Sequence, residues 1–431
     1  MPSLVLLSLV RLLLMIKALS ESARKAGAVL AHATRAQKDA AIEAIATALQ
    51  ERESEILAAN DEDVRRSRSE GISESLIDRL TLNGARIAGI AGGARKIKAL
   101  PDPIGIVKRE RTLPNGLHLK QVTVPFGIVG MVYEARPNVT VDAAVILLKS
   151  GNCALLRGSS SAAKSNEILV NIMRDAVVSV GIPADVIQLV PSSDRSTVTE
   201  LLHARGLVDL VIPRGSAALI RTVVDEAKVP TIETGAGVCH VYVDKDGDLA
   251  KALPILINSK CQRPSVCNAA ETLLIHSEIA GSFLPMALKA LDDEKVIIHG
   301  DVQSVAAAKA LGINASLATE ENWSTEYGVL EINVRVVDDI DQAAAHIRTY
   351  GTNHTEAIIS ENPQSIESFI NQLDAAAIMI NASTRFTDGE EMGFGAEIGI
   401  SNQKTHARGP MGLEEMTTTT WIVTGTGQIR G

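Results

Sequence analysis

The sequence predicts an α/β protein built on a mainly parallel sheet with helices on both faces. Three observations lead there. From residue 126 onward, short apolar runs of strand character alternate with longer runs at helical spacing, the pattern of consecutive βα units. Before that point, residues 20–99 carry Ala, Leu and Ile at helical spacing with charge on the other face, as in RAQKDAAIEAIATALQERESEILAAN. Finally, 46% of the 431 residues are apolar but only 3% are aromatic. Ala, Val, Ile and Leu must therefore fill a large interior, as in helix-rich α/β proteins. The length suits two or three domains.

The elements follow in order. LVLLSLVRLLLM, residues 4–15, is strongly apolar but interrupted by Arg11. It is too short for an ordinary transmembrane span, and the residues after it make a poor signal-peptide cleavage site. We read residues 1–14 as an N-terminal extension, with Met15 as an alternative start. After the helical segment, PDPIGIVKRERTLPNGLHLKQVTVP (101–125) has Pro and Gly punctuation and short alternating runs, which suits an extended arm or hairpin. FGIVGMVYE is then a strand and VTVDAAVILLKSG a helix stopped by Gly151. NCALLRG is a strand, and the helix after it ends at Gly181. VIQLVP and LVDLVIPRG are further strands, and SAALIRTVVDEA is a helix. A second α/β segment begins near residue 237 with VCHVYVD, a helix capped by Asp248, and ETLLIH. More αβ units follow through AIISEN and AAIMIN. TTTTWIVTGTGQIR, rich in Thr and Val, suits an edge or exchanged strand.

Net charge is −9 and no basic block stands out, which argues against a nucleic-acid surface. Four cysteines, Cys153, Cys239, Cys261 and Cys267, make no disulfide framework in a chain this long. A reducing cytoplasm fits that usage. No cluster has metal-ligand spacing, so no metal is expected.

Chemistry concentrates in SKCQRPSVCNAAETLLIH, residues 259–276. Cys267 falls on a loop between a helix and the strand ETLLIH, with Pro264, Ser265 and Asn268 around it. Cys153, inside NCALL, reads as core instead. A thiolate nucleophile needs a lowered pKa and partial exposure, and Lys260 and Arg263 are nearby sources of positive potential. The spacing leaves two readings open: a nucleophile, or a loop cysteine packed under the sheet. Two strand-to-helix loops, RGSSSAAKSN (157–166) and IPRGS (212–216), suit a phosphate. A helix N-terminus attracts anions, and Gly215 allows close backbone approach.

The stretches PFGIVGMVYEARPNVTVDAA, KSGNCALLRGSSSAAKSN, VDLVIPRGS, GVCHVYVDKDGDLAKA, CQRPSVCNAAETLL and HARGPMGL resemble the gamma-glutamyl phosphate reductase family of the aldehyde dehydrogenase superfamily. HIRTYGTNHTEAI, residues 346–358, is similar to that family's signature segment. The resemblance runs from about Met15 to Arg430. It implies an aldehyde dehydrogenase-like α/β fold with a Rossmann-like cofactor domain (15–104 and 126–236), an α/β catalytic domain (237–408) and a β oligomerisation arm (105–125 and 412–428).

The resemblance also implies the chemistry. NADPH would reduce L-glutamyl 5-phosphate to glutamate 5-semialdehyde and phosphate through a thioester on Cys267, the second step from glutamate to proline. Asn138 in ARPNVT matches the oxyanion-stabilising amide. Arg157, Ser159, Gly215 and Ser216 would line the dinucleotide, with Arg157 meeting a 2′-phosphate, and Glu326 would touch the nicotinamide ribose. Arg136, Arg263 and Arg385 are the candidate partners for the substrate's anionic groups, with His406 and Arg408 as further options. Glu233 matches the superfamily's glutamate base. Hydrolytic relatives use that base on water, whereas a phosphate-dependent reductase must keep water from the thioester, so its role stays open. Cys261 stands where the family usually has threonine. The resemblance further implies a cytoplasmic homo-oligomer, bound to no membrane, that could receive its labile substrate from the glutamate 5-kinase of the pathway. The rival readings are a hydrolytic NAD-dependent dehydrogenase and a catalytically dead binding partner.

Overall fold

The computed structural model describes residues 4–430, with side chains for all of these except 4–13, Ser75 and Ala217. The first three residues of the expected extension lie outside the described residues. The chain forms two compact units. The first holds the chain up to Glu233, with 393–399 and the segment from Met411 on. The second holds 234–392 and 400–410.

In the first unit, helices α1 (Leu4–Leu30), α2 (Arg35–Glu51), α3 (Glu53–Ser69), α4 (Glu74–Leu80) and α5 (Gly84–Ala99) precede any strand. Thr34 and Gln37 form a capping box at the start of α2, satisfying two orphan donors reciprocally. No helix among the described residues is long and apolar enough to cross a membrane. Strands β1 (Val107–Thr112) and β2 (His118–Pro125) form a hairpin, and the last strand, β16 (Thr417–Thr424), pairs antiparallel with β2. The C-terminal strand is thus an edge strand on its own chain's hairpin.

Then come β3 (Ile128–Tyr133), α6 (Pro137–Lys149), β4 (Cys153–Arg157), α7 (Ala163–Ser179), β5 (Ile187–Leu189), α8 (Ser196–His203), β6 (Leu210–Arg214) and α9 (Ala217–Glu226). The strands lie parallel in the order β5-β4-β3-β6. β3 and β4 are buried at every residue, as both-face coverage by helices requires. Gly151 and Gly181 follow α6 and α7 with φ of 76° and 82°, the left-handed conformation that stops a helix without a Cβ penalty.

The second unit contains β7 (Cys239–Val243), α10 (Leu249–Cys261), β8 (Ala270–His276), α11 (Ser277–Asp293), β9 (Ile297–Gly300), α12 (Val302–Ala310) and β10 (Ala315–Leu317). It continues through α13 (Glu320–Trp323), β11 (Glu331–Val337), α14 (Ile340–Tyr350), β12 (Thr355–Ile359), α15 (Pro363–Gln372) and β13 (Ala377–Ile380). A ribbon of β14 (Ile400–Ser401) and β15 (Gly409–Pro410) completes it. The parallel order is β10-β9-β11-β8-β7-β12-β13. Strand periodicity divides the core between two faces. Val241, Val243, Leu273 and Ile275 pack with Phe283 and Leu288 of α11, while Tyr242 and Leu274 pack with Ile347 and Phe369 of α14 and α15. Asp248, Asp301, Asp339 and Asn362 cap the helices that follow the strands.

Candidate active site

Cys267 lies where α10 has ended and β8 has not begun, on a loop of the second unit, and it is half-buried. Its main chain is held from two sides. Cys239, the first residue of β7, is fully buried and donates its thiol to the Cys267 carbonyl oxygen at 3.2 Å. Gly237 packs its Cα directly on that peptide: a Cβ built there would lie 2.8 Å from Cys267 Cα and overlap the carbonyl itself. The next residue, Asn268, donates its amide to Thr387 O at 2.8 Å.

Two of the expected cations belong to this site. The Arg385 guanidinium interacts electrostatically with both Arg263 and Cys267, and its Nε donates to Gln262 Oε1 at 2.9 Å. Burial, with the Arg263 charge in addition, lowers the pKa of Arg385. Lys260 behaves differently from the expectation that it supplies free positive potential. It is fully buried and bound to Glu271, also fully buried, which neutralises it locally. Burial pushes the Glu271 carboxyl up to about 7 against the pull of Lys260. Glu326 accepts the Gly237 backbone N–H, and burial raises its pKa too. Cys261 ends α10 against the apolar core, and burial pushes its thiol up to about 11. Cys153 is fully buried, as its apolar run predicts. Arg408 is committed to Asp374, with Nη1 at 2.8 Å from Oδ1, and His406 is exposed.

The first unit has its own cleft of ≈ 450 Å³ at the carboxyl ends of β3, β4 and β6, where ligands of parallel sheets bind. Arg79, Arg136 and Arg214 line it with Ser159 and Ser161. Gly215 and Ser216 are also there, but the anion at the start of α9 is internal. Glu134 accepts the Ser216 backbone N–H at 2.7 Å and its hydroxyl at 3.0 Å. Arg157 is buried, and its guanidinium donates to Thr197 Oγ1, Gly158 O and Asp194 O at 3.0–3.1 Å. Asn138 lies in the first turn of α6 just after Pro137, half-buried, and donates to Asp142 Oδ2 at 3.1 Å. Glu233 is half-buried at the end of the unit's first segment.

Sequence reading missed Gly237, Cys239 and Glu134 as contributors, and the pairing of Lys260 with Glu271. Cys239 sits in an apolar strand run that signals burial and nothing more. The one available hint was the signature segment, whose Thr352, His354 and Thr355 turn out to contact the same region.

The chain resembles known proteins over nearly its whole length. Residues 15–306 match the aldehyde dehydrogenase family. The chain is 55% identical over 415 residues to the gamma-glutamyl phosphate reductase of Thermobifida fusca (strain YX), covering 96% of this chain and 98% of that one. Its structure is similar to the crystal structure of gamma-glutamyl phosphate reductase from Thermotoga maritima, with a TM-score of 0.93 at 44% identity over 96% of this chain and 100% of that one. An acetylating aldehyde dehydrogenase from Geobacillus thermoglucosidasius has a TM-score of 0.69 at 18% identity, over 98% and 99% of the two chains. That last likeness is one of fold.

Proposed function

This chain belongs to the aldehyde dehydrogenase family, and from that premise we propose that it reduces L-glutamyl 5-phosphate to L-glutamate 5-semialdehyde and phosphate with NADPH, the second step from glutamate to proline. The observation that carries this reading is the likeness over nearly the whole chain to a relative of that name, a likeness that spans the Cys267 loop.

In this reading the Cys267 thiolate attacks the acyl carbon of the substrate. The bond from that carbon to the phosphate oxygen breaks, phosphate leaves, and a thioester forms. The Cys267 backbone N–H stabilises the oxyanion of the tetrahedral intermediate, and Asn138 is the residue that the family resemblance assigns to the second donor. Arg385, whose charge is felt at Cys267, favours its thiolate, and Arg263 and Arg385 meet the substrate's anionic groups. Arg136 is the third substrate candidate. NADPH, when bound, supplies the hydride that converts the thioester to a hemithioacetal. Collapse of that adduct releases the aldehyde and restores Cys267.

The cleft of the first unit fits an anionic dinucleotide by its cations and hydroxyls. Arg79 and Arg214 would hold phosphate, with Ser159 and Ser161 as hydroxyl partners. Because the donors of Arg157 already serve Thr197, Gly158 and Asp194, we assign Arg157 to shaping this cleft rather than to pairing with a 2′-phosphate. Gly215 and Ser216 admit the cofactor once Glu134 yields the Ser216 amide. Glu326 is assigned to the nicotinamide ribose. The first unit is then the cofactor-binding domain and the second the catalytic domain. β1, β2 and β16 form the oligomerisation arm, consistent with exposed Trp421, Ile422 and Val423 on the edge strand. We place the enzyme in the cytoplasm as a homo-oligomer that receives its labile substrate from the glutamate 5-kinase.

The test is NADP reduction by the purified protein with glutamate 5-semialdehyde, with and without inorganic phosphate, beside Cys267→Ala and Cys261→Ala. Phosphate-dependent activity lost in Cys267→Ala and retained in Cys261→Ala is the expected result. Activity without phosphate would overturn the reductase in favour of a hydrolytic dehydrogenase. Full activity in Cys267→Ala would overturn the mechanism.

A further inference from the structure

The segment HIRTYGTNHTEAI has no part in the chemistry above, yet its residues converge on the Cys267 loop. Thr352 accepts the Val238 backbone N–H on its hydroxyl at 3.0 Å, and Asn402 donates to Thr352 O at 2.7 Å. Glu356 accepts both the backbone N–H and the Nδ1 of His240, at 3.0 and 2.9 Å. Residues 238–240 are therefore gripped on either side of Cys239. A second route runs through Thr355. Its hydroxyl donates to Thr387 Oγ1 at 3.0 Å, and Thr387 O accepts the Asn268 amide. Both routes end on neighbouring residues, one on the Cys267 carbonyl through Cys239 and one on Asn268.

The proton positions follow from this network. Because Thr355 donates to Thr387, its oxygen is left to accept from His354 Nδ1, 2.9 Å away. His354 Nδ1 therefore carries a proton and cannot accept the thiol of Cys239, 3.8 Å from it. The Cys239 proton is directed to the Cys267 carbonyl. Complete burial holds that thiol far above the usual cysteine pKa, so it stays a donor at any working pH. No rotation of the Cys267 peptide toward β7 is open, since Gly237 already fills that side.

We infer that the signature segment is a clamp on the main chain of the Cys267 loop, and that Cys239 is its positioning residue, acting through the Cys267 carbonyl. The inference rests on Cys267 being the nucleophile. An unclamped peptide would let the attacking sulfur and the Cys267 N–H drift together, and misplacement of about 1 Å costs about 100-fold in rate.

The experiment compares wild type with Cys239→Ala, Cys239→Ser and Thr352→Val. Activity is expressed per Cys267 thiol titrated, and Cys267 alkylation by iodoacetamide is followed by peptide mass spectrometry. In Cys239→Ala we expect kcat to fall about 10- to 100-fold with KM within about two-fold. The Cys267 alkylation rate should change more than about three-fold while that of Cys261 does not. Cys239→Ser, which keeps a donor, should recover most of the loss. Thr352→Val should lower kcat in the same direction, and it carries the test if Cys239→Ala does not fold. A kcat per thiol within about two-fold of wild type, an unchanged alkylation rate at Cys267, or a serine variant no better than alanine would overturn the clamp. Alkylation is independent of turnover. A changed Cys267 rate in a protein that never turns over glutamate 5-semialdehyde would leave the clamp standing and remove the proposed reaction instead.

Discussion

Gly237→Ala is the most demanding single substitution the structure specifies. The added methyl would stand 2.8 Å from Cys267 Cα and inside the van der Waals envelope of its carbonyl. The nearest atom is the Cys267 carbonyl oxygen, 1.5 Å from the added carbon, and non-bonded heavy atoms need about 3.5 Å, so one of the two segments must move by roughly 2 Å. β7 cannot easily move, because Val238 and His240 are held by Thr352 and Glu356. The Cys267 loop is the side that gives. Overpacking of this kind costs about 1–3 kcal/mol of stability. A displacement of more than about 1 Å at the nucleophile predicts a loss of at least about 100-fold in kcat. The assay is phosphate-dependent NADP reduction at saturating glutamate 5-semialdehyde, paired with thermal unfolding to show that the variant is folded. A folded Gly237→Ala enzyme with more than half of wild-type kcat would refute the claim that this contact sets the nucleophile.

Three further outcomes are expected. Lys260→Met strands the buried Glu271 carboxyl, so stability should fall by about 3–5 kcal/mol at pH 8 in denaturant titrations. Burial raises the Glu271 pKa to about 7 even with Lys260 present, so the folded variant takes up a proton more readily than the unfolded chain. The loss should shrink as pH falls toward 5.5, and an equal loss at both pH values would contradict the pairing. His346 is buried against His240 and Arg335, and that environment lowers its pKa from 6.5 to about 2. The unfolded chain then binds the extra proton between those values, so stability is full above pH 6.5 and falls below it by up to about 1.4 kcal/mol per pH unit. His346→Phe should flatten that acid limb, and an unchanged slope between pH 7.5 and 5 would count against it. Glu134→Gln keeps an acceptor for Ser216 while removing the charge from the cleft. NADPH binding by fluorescence titration should tighten about two- to five-fold, whereas weaker binding would mean that the cofactor does not compete for that helix end.

Much of this protein is legible one dimension at a time. The alternation of strand and helix runs after residue 126, the glycines that stop α6 and α7, and the aspartate that caps α10 are local features. Periodicity and turn chemistry report them directly. The polar setting of Cys267 against the apolar setting of Cys153 separates a loop thiol from a core thiol by the same kind of information. Local pattern is thus enough for the α/β class, the order of the elements and which cysteine stands on the loop.

Which side chains meet emerges with the packing of the folded chain. Lys260 looked like a free charge beside Cys267, but folding brings it to Glu271 on the next strand. Arg157 looked ready for a phosphate, but the Gly158 and Asp194 carbonyls and the Thr197 hydroxyl claim its donors. The start of α9 looked open to an anion, but Glu134, 82 positions earlier, reaches it first. Cys239, at the edge of an apolar run, was ambiguous in sequence, and in the fold its thiol holds the peptide of Cys267. For Lys260 the partner is fixed by how α10 packs on β8, and for the other three by which strands lie side by side. Burial then forces a polar group to find whatever donor or acceptor the sheet order has placed within reach, and local sequence pattern carries no record of that order.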